Sequence, residues 1–116
     1  MVDPVLFYKS LADDTRLRCL LLIQKEQELC VCELTEAINE SQPKISRHLA
    51  QLKKSGILSD RRQGQWIYYQ LHPELSDWAK QVIELTLTSN SQFISKNLDN
   101  LYSMGDRPLR AKACCQ

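Results

Sequence analysis

Residues Ser41-Gln42-Pro43-Lys44-Ile45-Ser46-Arg47-His48-Leu49-Ala50-Gln51-Leu52-Lys53-Lys54-Ser55-Gly56 decide the fold. Ile45, Leu49 and Leu52 recur at helical spacing and share one apolar face. Ser41 suits the N-cap, and Pro43 is tolerated in the first turn because the N–H it lacks would have no partner there. Ser55-Gly56 stops the helix. With the apolar face turned inward, the outward face carries Gln42, Lys44, Ser46, Arg47, His48 and Gln51. These are donors and acceptors whose lengths suit base edges and phosphates.

Upstream, Asn39-Glu40-Ser41-Gln42 is a polar turn, preceded by a short helix marked by Val31, Leu34 and Ile38 with Glu33 in its first turn. Before that, Asp13 or Asp14 can cap a helix from about Thr15 to Gln27, with Leu17, Leu20, Leu21 and Ile23 as its buried stripe. A short apolar segment with Val5, Leu6 and Tyr8 leads into it. Downstream the period changes to two: Leu58 to Arg62 and Gln65 to Leu71 read as strands around a Gln63-Gly64 turn. Two short helices, a polar turn and a two-stranded ribbon make a mainly α chain with a β-hairpin, a winged helix-turn-helix whose second helix enters the major groove of double-stranded DNA.

Early residues of that helix reach deepest, so base contacts fall on Gln42, Lys44, Ser46 and Arg47. His48 reads either as a further DNA contact or as packing against the preceding helix of the motif. Lys53 and Lys54 supply generic charge, and Arg61 and Arg62 sit on the wing, near a minor groove or the backbone. Trp66, Tyr68 and Tyr69 read as strand packing, because a duplex reader does not splay bases out to stack on them.

After His72-Pro73 a helical stretch runs to about Tyr102, with Ser89-Asn90-Ser91 as a point of interruption. It carries two apolar rows, Trp78, Val82 and Leu85 beside Ala79, Ile83 and Leu87. One small domain covers only one such row, so the other is expected to meet a second copy, dimerising the protein through its terminal helices. Residues 1–105 are thus read as one winged helix-turn-helix domain with its dimerisation helices, and residues 106–116 as a flexible tail.

A chain of 116 residues is one ordinary domain with enough core to fold without covalent staples. Its 43% hydrophobic and 25% charged residues exclude disordered and collagen-like classes. No apolar run approaches the ~18 residues that a membrane-spanning helix needs. No secretory signal is visible after Met1, so a cytoplasmic location without membrane association is expected. The net charge of +1 hides an asymmetry. Residues 1–40 sum to −4 (four basic, eight acidic), residues 41–72 to +5 (six basic, one acidic) and residues 73–116 to zero (five of each). A basic middle is the footprint of a surface that meets phosphate, although a solvated charged face gives the same count.

Five cysteines, an odd number, do not form a disulfide framework, and none makes a C-x2-C zinc pair. Cys19 lies beside Leu17, Leu20 and Leu21 and reads as packing. Cys30 and Cys32 form C-x-C at the start of the short helix, and Cys114-Cys115 are adjacent near the C-terminus. On a formed helix, residues two apart point about 200° away from each other, so a shared ligand requires the first turn to fray. A helix N-terminus favours the thiolate, and soft thiolates suit a thiophilic ion. From the residues alone, Cys30 and Cys32 read equally well as ligands or as small core hydrophobes.

Ser10-Leu11-Ala12-Asp13-Asp14-Thr15-Arg16-Leu17, Glu28-Leu29-Cys30-Val31-Cys32-Glu33-Leu34 and Ser41-Gln42-Pro43-Lys44-Ile45-Ser46-Arg47-His48-Leu49 resemble the ArsR/SmtB metalloregulators, most of all the arsenic-responsive repressors of proteobacteria. The resemblance spans roughly residues 5–88, with three blocks in the family's order. It implies a homodimeric repressor of an arsenic-resistance operon, released from operator DNA when arsenic(III) or antimony(III) binds, with Cys30 and Cys32 as ligands. Arsenic-responsive relatives carry a third cysteine where this chain has Thr35. The site is then two thiolates completed by water, or it borrows a sulfur from Cys114 or Cys115.

Other members of the same fold are disfavoured on particular residues. A cadmium/lead-responsive repressor adds cysteines in an N-terminal arm, and residues 1–18 hold none. A zinc or nickel sensor needs histidines in its long terminal helix, and residues 74–105 hold none. A thiol-redox-responsive repressor stays open, since Cys30 and Cys32 can be oxidised. A thiol enzyme is not expected, because neither His48 nor His72 is paired with a cysteine by the pattern.

Overall fold

The computed structural model describes residues 2–105. Helix α1 (Pro4–Leu11) starts on Asp3, whose carboxylate accepts from the Leu6 N–H at 2.9 Å, with Pro4 at the head of the helix. Helix α2 (Asp14–Glu26) is capped by Asp13, which accepts from the Arg16 N–H at 3.0 Å. Of the two aspartates that could cap, the first does. Cys19, Leu20, Leu21, Leu22 and Ile23 are all buried, so this part of α2 is enclosed on every side rather than along one stripe. Leu17, expected in that stripe, is half-buried instead.

A two-residue strand that periodicity does not foreshadow, β1 (Leu29–Cys30), precedes α3 (Val31–Ile38). Asn39 ends α3 in the left-handed region at φ 62, its N–H donating to the Thr35 carbonyl at 2.9 Å. Asparagine tolerates that conformation, which sets the turn into α4 (Gln42–Lys54). Ser41 caps α4, its hydroxyl accepting from the Lys44 N–H at 3.3 Å. At the far end Gly56 takes φ 86, and the N–H groups of Gly56 and Ile57 bond the carbonyls of Lys53 and Leu52 at 3.1 and 3.0 Å. That pattern is a Schellman stop, with Ile57 buried beneath it.

The wing is β2 (Leu58–Gln63) and β3 (Trp66–Leu71), antiparallel from Leu58↔Leu71 to Gln63↔Trp66. The two turn residues are therefore Gly64 and Gln65, one position later than the expected Gln63-Gly64, and Gly64 supplies the positive φ of 62. β1 pairs on the other side of β3, giving the order β1-β3-β2 with Leu29↔Tyr69 and Cys30↔Tyr68.

The last helical stretch is broken where Ser89-Asn90-Ser91 suggested: α5 (Asp77–Ser89), a 3₁₀ turn (Ser91–Ile94) and α6 (Ser95–Tyr102). α5 packs on α2 with Ala79 and Ile83 buried, while Trp78 and Leu85 of the other row are exposed and Val82 is half-buried. Leu87, expected beside Ala79 and Ile83, is half-buried. α6 packs on α3, and the Asn97 and Asn100 side-chain amides both donate to the Ala37 carbonyl, at 3.0 and 3.1 Å. Arg18 of α2 donates to Asn97 Oδ1 at 2.9 Å and lies 4.0 Å from the centre of the Phe93 ring. α6 thereby holds α3 against α2. No helix among the described residues is long and apolar enough to cross a membrane. The 106–116 segment, with Cys114 and Cys115, lies outside the described residues.

Candidate nucleic-acid interface and thiol site

α4 buries Ile45, Leu49 and Leu52 completely, which turns its opposite face outward. On that face Gln42, Arg47 and Gln51 are exposed and Lys44 and Ser46 half-exposed. Gln51 is partly committed, accepting from Arg16 Nη1 at 3.2 Å.

His48 points back toward the start of α2. Its Nε2 lies 3.8 Å from the Asp13 carboxylate and its Nδ1 3.4 Å from Arg16 Nη1. Arginine only donates, so Nδ1 accepts and Nε2 carries the proton that faces Asp13. Burial outweighs the attraction of Asp13 and holds the His48 pKa below its ordinary value. Arg16 also donates to the carbonyls of Ser10 at 2.8 Å and Lys9 at 3.2 Å, so one guanidinium ties α1, α2 and α4 together. Arg16 was not among the residues the sequence singled out. Its only sequence signal is a position just after a helix cap, which says nothing of partners far along the chain.

The basic middle divides once its carboxylate neighbours are known. Lys44 pairs with Glu40 at 3.2 Å and Lys53 with Asp60 at 2.9 Å. Arg61 makes a two-pronged pair with Glu28, Nε to Oε2 at 2.8 Å and Nη2 to Oε1. Its guanidinium also sits 4.9 Å from the Tyr68 ring centre. Among the described residues no carboxylate lies within ion-pair distance of Arg47, Lys54 or Arg62. The two wing arginines, equivalent in sequence, therefore differ in structure.

Cys30 is not inside α3. It is the N-cap, extended at φ −90 and ψ 168, and the opposite-face argument for two helical residues does not apply to it. Its N–H donates to the buried Glu33 carboxylate at 2.9 Å, and its sulfur faces the Glu33 N–H in the reciprocal half of a capping box. Cys32 is at the second position of α3 and half-buried, whereas Cys30 is 1% exposed. Two sulfurs two residues apart at a helix mouth fit a soft, thiophilic ion better than a hard one. Thr35 donates its hydroxyl to the Val31 carbonyl at 2.8 Å. Cys19 is fully buried in the core, and desolvation pushes its thiol up to about 12, in keeping with packing.

Residues 13–60, which hold the thiol pair and all of α4, match the family described as bacterial regulatory protein, arsR family. The chain is 54% identical to the arsenic resistance transcriptional regulator ArsR2 of Pseudomonas putida, over 99% of its own length and 100% of that protein's. This chain belongs to the arsR family. The arsenical resistance operon repressor of Escherichia coli is 52% identical over 70% of this chain and 69% of that protein. Among solved structures, the antimony-specific transcriptional repressor AntR superposes with a TM-score of 0.63 at 31% identity, over 76% of this chain and 77% of that one. An arsR-family protein is a winged-helix, DNA-binding transcriptional regulator and not an enzyme. In this member of the family the C-x-C pair stands at the start of α3, which packs on α4.

Proposed function

We propose that this arsR-family protein is a homodimeric repressor of an arsenic-resistance operon, which leaves its operator when trivalent arsenic or antimony binds Cys30 and Cys32. The observation that carries this reading is that the thiol pair opens the helix that packs on the recognition helix. In the DNA-bound state Gln42, Lys44, Ser46 and Arg47 meet the major groove, Arg62 meets phosphate from the wing, and His48 holds α4 on α2. No described carboxylate pairs with Arg47 or Arg62, which supports those contacts.

A trivalent arsenic or antimony ion supplies a soft acceptor for thiolate sulfur. To serve as a ligand, the Cys30 sulfur gives up its place opposite the Glu33 N–H, and the first turn of α3 loses its cap. α3 then shifts against α4, and the base-reading face loses its alignment. Any third sulfur comes from Cys114 or Cys115 of either subunit, with water as the alternative. A second copy of the chain covers the apolar side chains exposed on α1 and α5, which are Val5, Leu6, Tyr8, Trp78 and Leu85. Tyr8 and Trp78 stand 6.3 Å apart, ring centre to ring centre, and join the two helices into one patch. A twofold dimer calls for a palindromic operator with half-sites about 34 Å apart or a multiple of it. The cytoplasm is where such a regulator meets DNA.

Fluorescence anisotropy of a promoter duplex with reduced protein tests this, with arsenite, antimonite, cadmium and zinc titrated at one salt concentration. Release by arsenite or antimonite should survive Cys114→Ser/Cys115→Ser and fail in Cys30→Ser/Cys32→Ser. Release by cadmium alone would move the protein to soft divalent ions, and release by peroxide alone would make the pair a redox switch.

A further inference from the structure

Glu28 and Arg61 join the thiol strand to the wing. β1 carries Cys30 and pairs with β3 through Cys30↔Tyr68, and β3 pairs with β2 through Arg61↔Tyr68. Arg61 thus stands two strands from Cys30, yet its side chain crosses the Tyr68 ring to hold Glu28, the residue just before β1. The guanidinium and carboxylate meet through two hydrogen bonds, a planar fork that fixes direction as well as distance. Arg61 also donates to Gln63 at 2.7 Å, beside the wing turn. Arg62, the next residue, has no carboxylate partner among the described residues.

We propose that Arg61 is a positioning residue, a strut through which the state of the Cys30/Cys32 segment sets the angle of the wing, and that Arg62 alone of the pair supplies the phosphate contact. The proposal rests on the thiol pair being the inducer site. A shift of Cys30 moves Glu28 two residues away and the β1–β3 ladder with it. The fork passes that shift to β2, so the wing leaves the duplex together with α4. Arg61 is 42% exposed and Glu28 half-buried at 20%, outside the apolar core, so variants of this pair should still fold.

The test is a cycle of Glu28→Gln, Arg61→Gln, the double variant and the charge swap Glu28→Arg/Arg61→Glu, with Arg62→Gln as reference. The probe is a duplex selected by the protein from a random-sequence pool. Arsenite should weaken binding of the wild type, and both single variants should lose about tenfold of that response. The double variant should lose no more than either single one, and the swap should recover most of it. The salt slope should fall by about one contact in Arg62→Gln and stay unchanged in Glu28→Gln and Arg61→Gln. The strut is overturned if Arg61→Gln lowers the salt slope while Glu28→Gln keeps the full response to arsenite.

A second readout needs no inducer. Coupling is reciprocal, so the duplex should slow iodoacetamide alkylation of Cys32, followed residue by residue by mass spectrometry, and both single variants should abolish that slowing. If arsenite fails to release the wild type but this protection holds, the strut stands and the inducer is wrong. If the duplex leaves Cys32 alkylation unchanged in the wild type, the strut is wrong.

Discussion

Burial pushes the Cys19 thiol up to about 12, while Cys32 is half-buried at the mouth of α3, so one residue type has two chemistries in one chain. Iodoacetamide at pH 7.5 should therefore modify Cys32 and leave Cys19 untouched until the protein unfolds; a peptide map showing early Cys19 labelling would refute this. His48 has a sign to work out. Its pKa in the folded protein lies below the ordinary 6.5, chiefly through burial. The unfolded chain thus takes up a proton on His48 at a higher pH than the folded chain does. Stability is full above pH 6.5 and falls as the pH drops from there toward the folded pKa. Urea unfolding of the wild type should show this loss between neutral pH and pH 5.5, and His48→Asn should show less of it. Both cysteines of the C-x-C pair were legible as candidates from their spacing. Which conformation each adopts was not, because the N-cap position of Cys30 depends on its pairing with Tyr68, far along the chain.

Periodicity of 3.6 marked α4, because Ile45, Leu49 and Leu52 are buried at helical spacing, whereas α2 was marked by an apolar run that is enclosed on every side and the hairpin by strand-forming residues around Gly64. The Ser41 cap, the Gly56 stop and the break at Asn90 are local backbone effects and were equally legible. Removing the cap with Ser41→Ala should cost about 1 kcal/mol in chemical denaturation, since it leaves the Lys44 N–H without its side-chain acceptor. A loss near zero would mean that water replaces the hydroxyl at no cost. Strand β1 was illegible for a physical reason. Two residues have no period, and what makes them a strand is the edge that β3 offers them. The turn at Gly64-Gln65 was misplaced by one position because Gln63 and Gly64 were both plausible turn residues until the pairing Gln63↔Trp66 fixed the register.

The whole molecule is organised around α2, which Arg16 ties to α1 and α4, Arg18 to α6, and the apolar core to α3 and α5. Among the described residues, α1 and α5 carry most of the exposed large apolar side chains, with Leu85 at 66% and Val5 at 64% exposure. Leu85→Glu puts a charge into that patch without touching the buried Ala79 and Ile83 row. Sedimentation should show this variant as a folded monomer at concentrations where the wild type dimerises, with weaker binding to a two-half-site duplex. A dimer undisturbed by the change would place the interface elsewhere. By itself the sequence determined the winged-helix architecture, the outward polar face of α4 and the place of two thiols at the start of α3, since each follows from local spacing, capping and composition. Only the tertiary structure decided that His48 turns to Asp13, that Arg61 is held by Glu28 while no described carboxylate pairs with Arg62, and that Cys30 caps a helix from within a sheet. Those outcomes depend on groups brought together from distant parts of the chain, and the spacing of neighbouring residues carries no record of them.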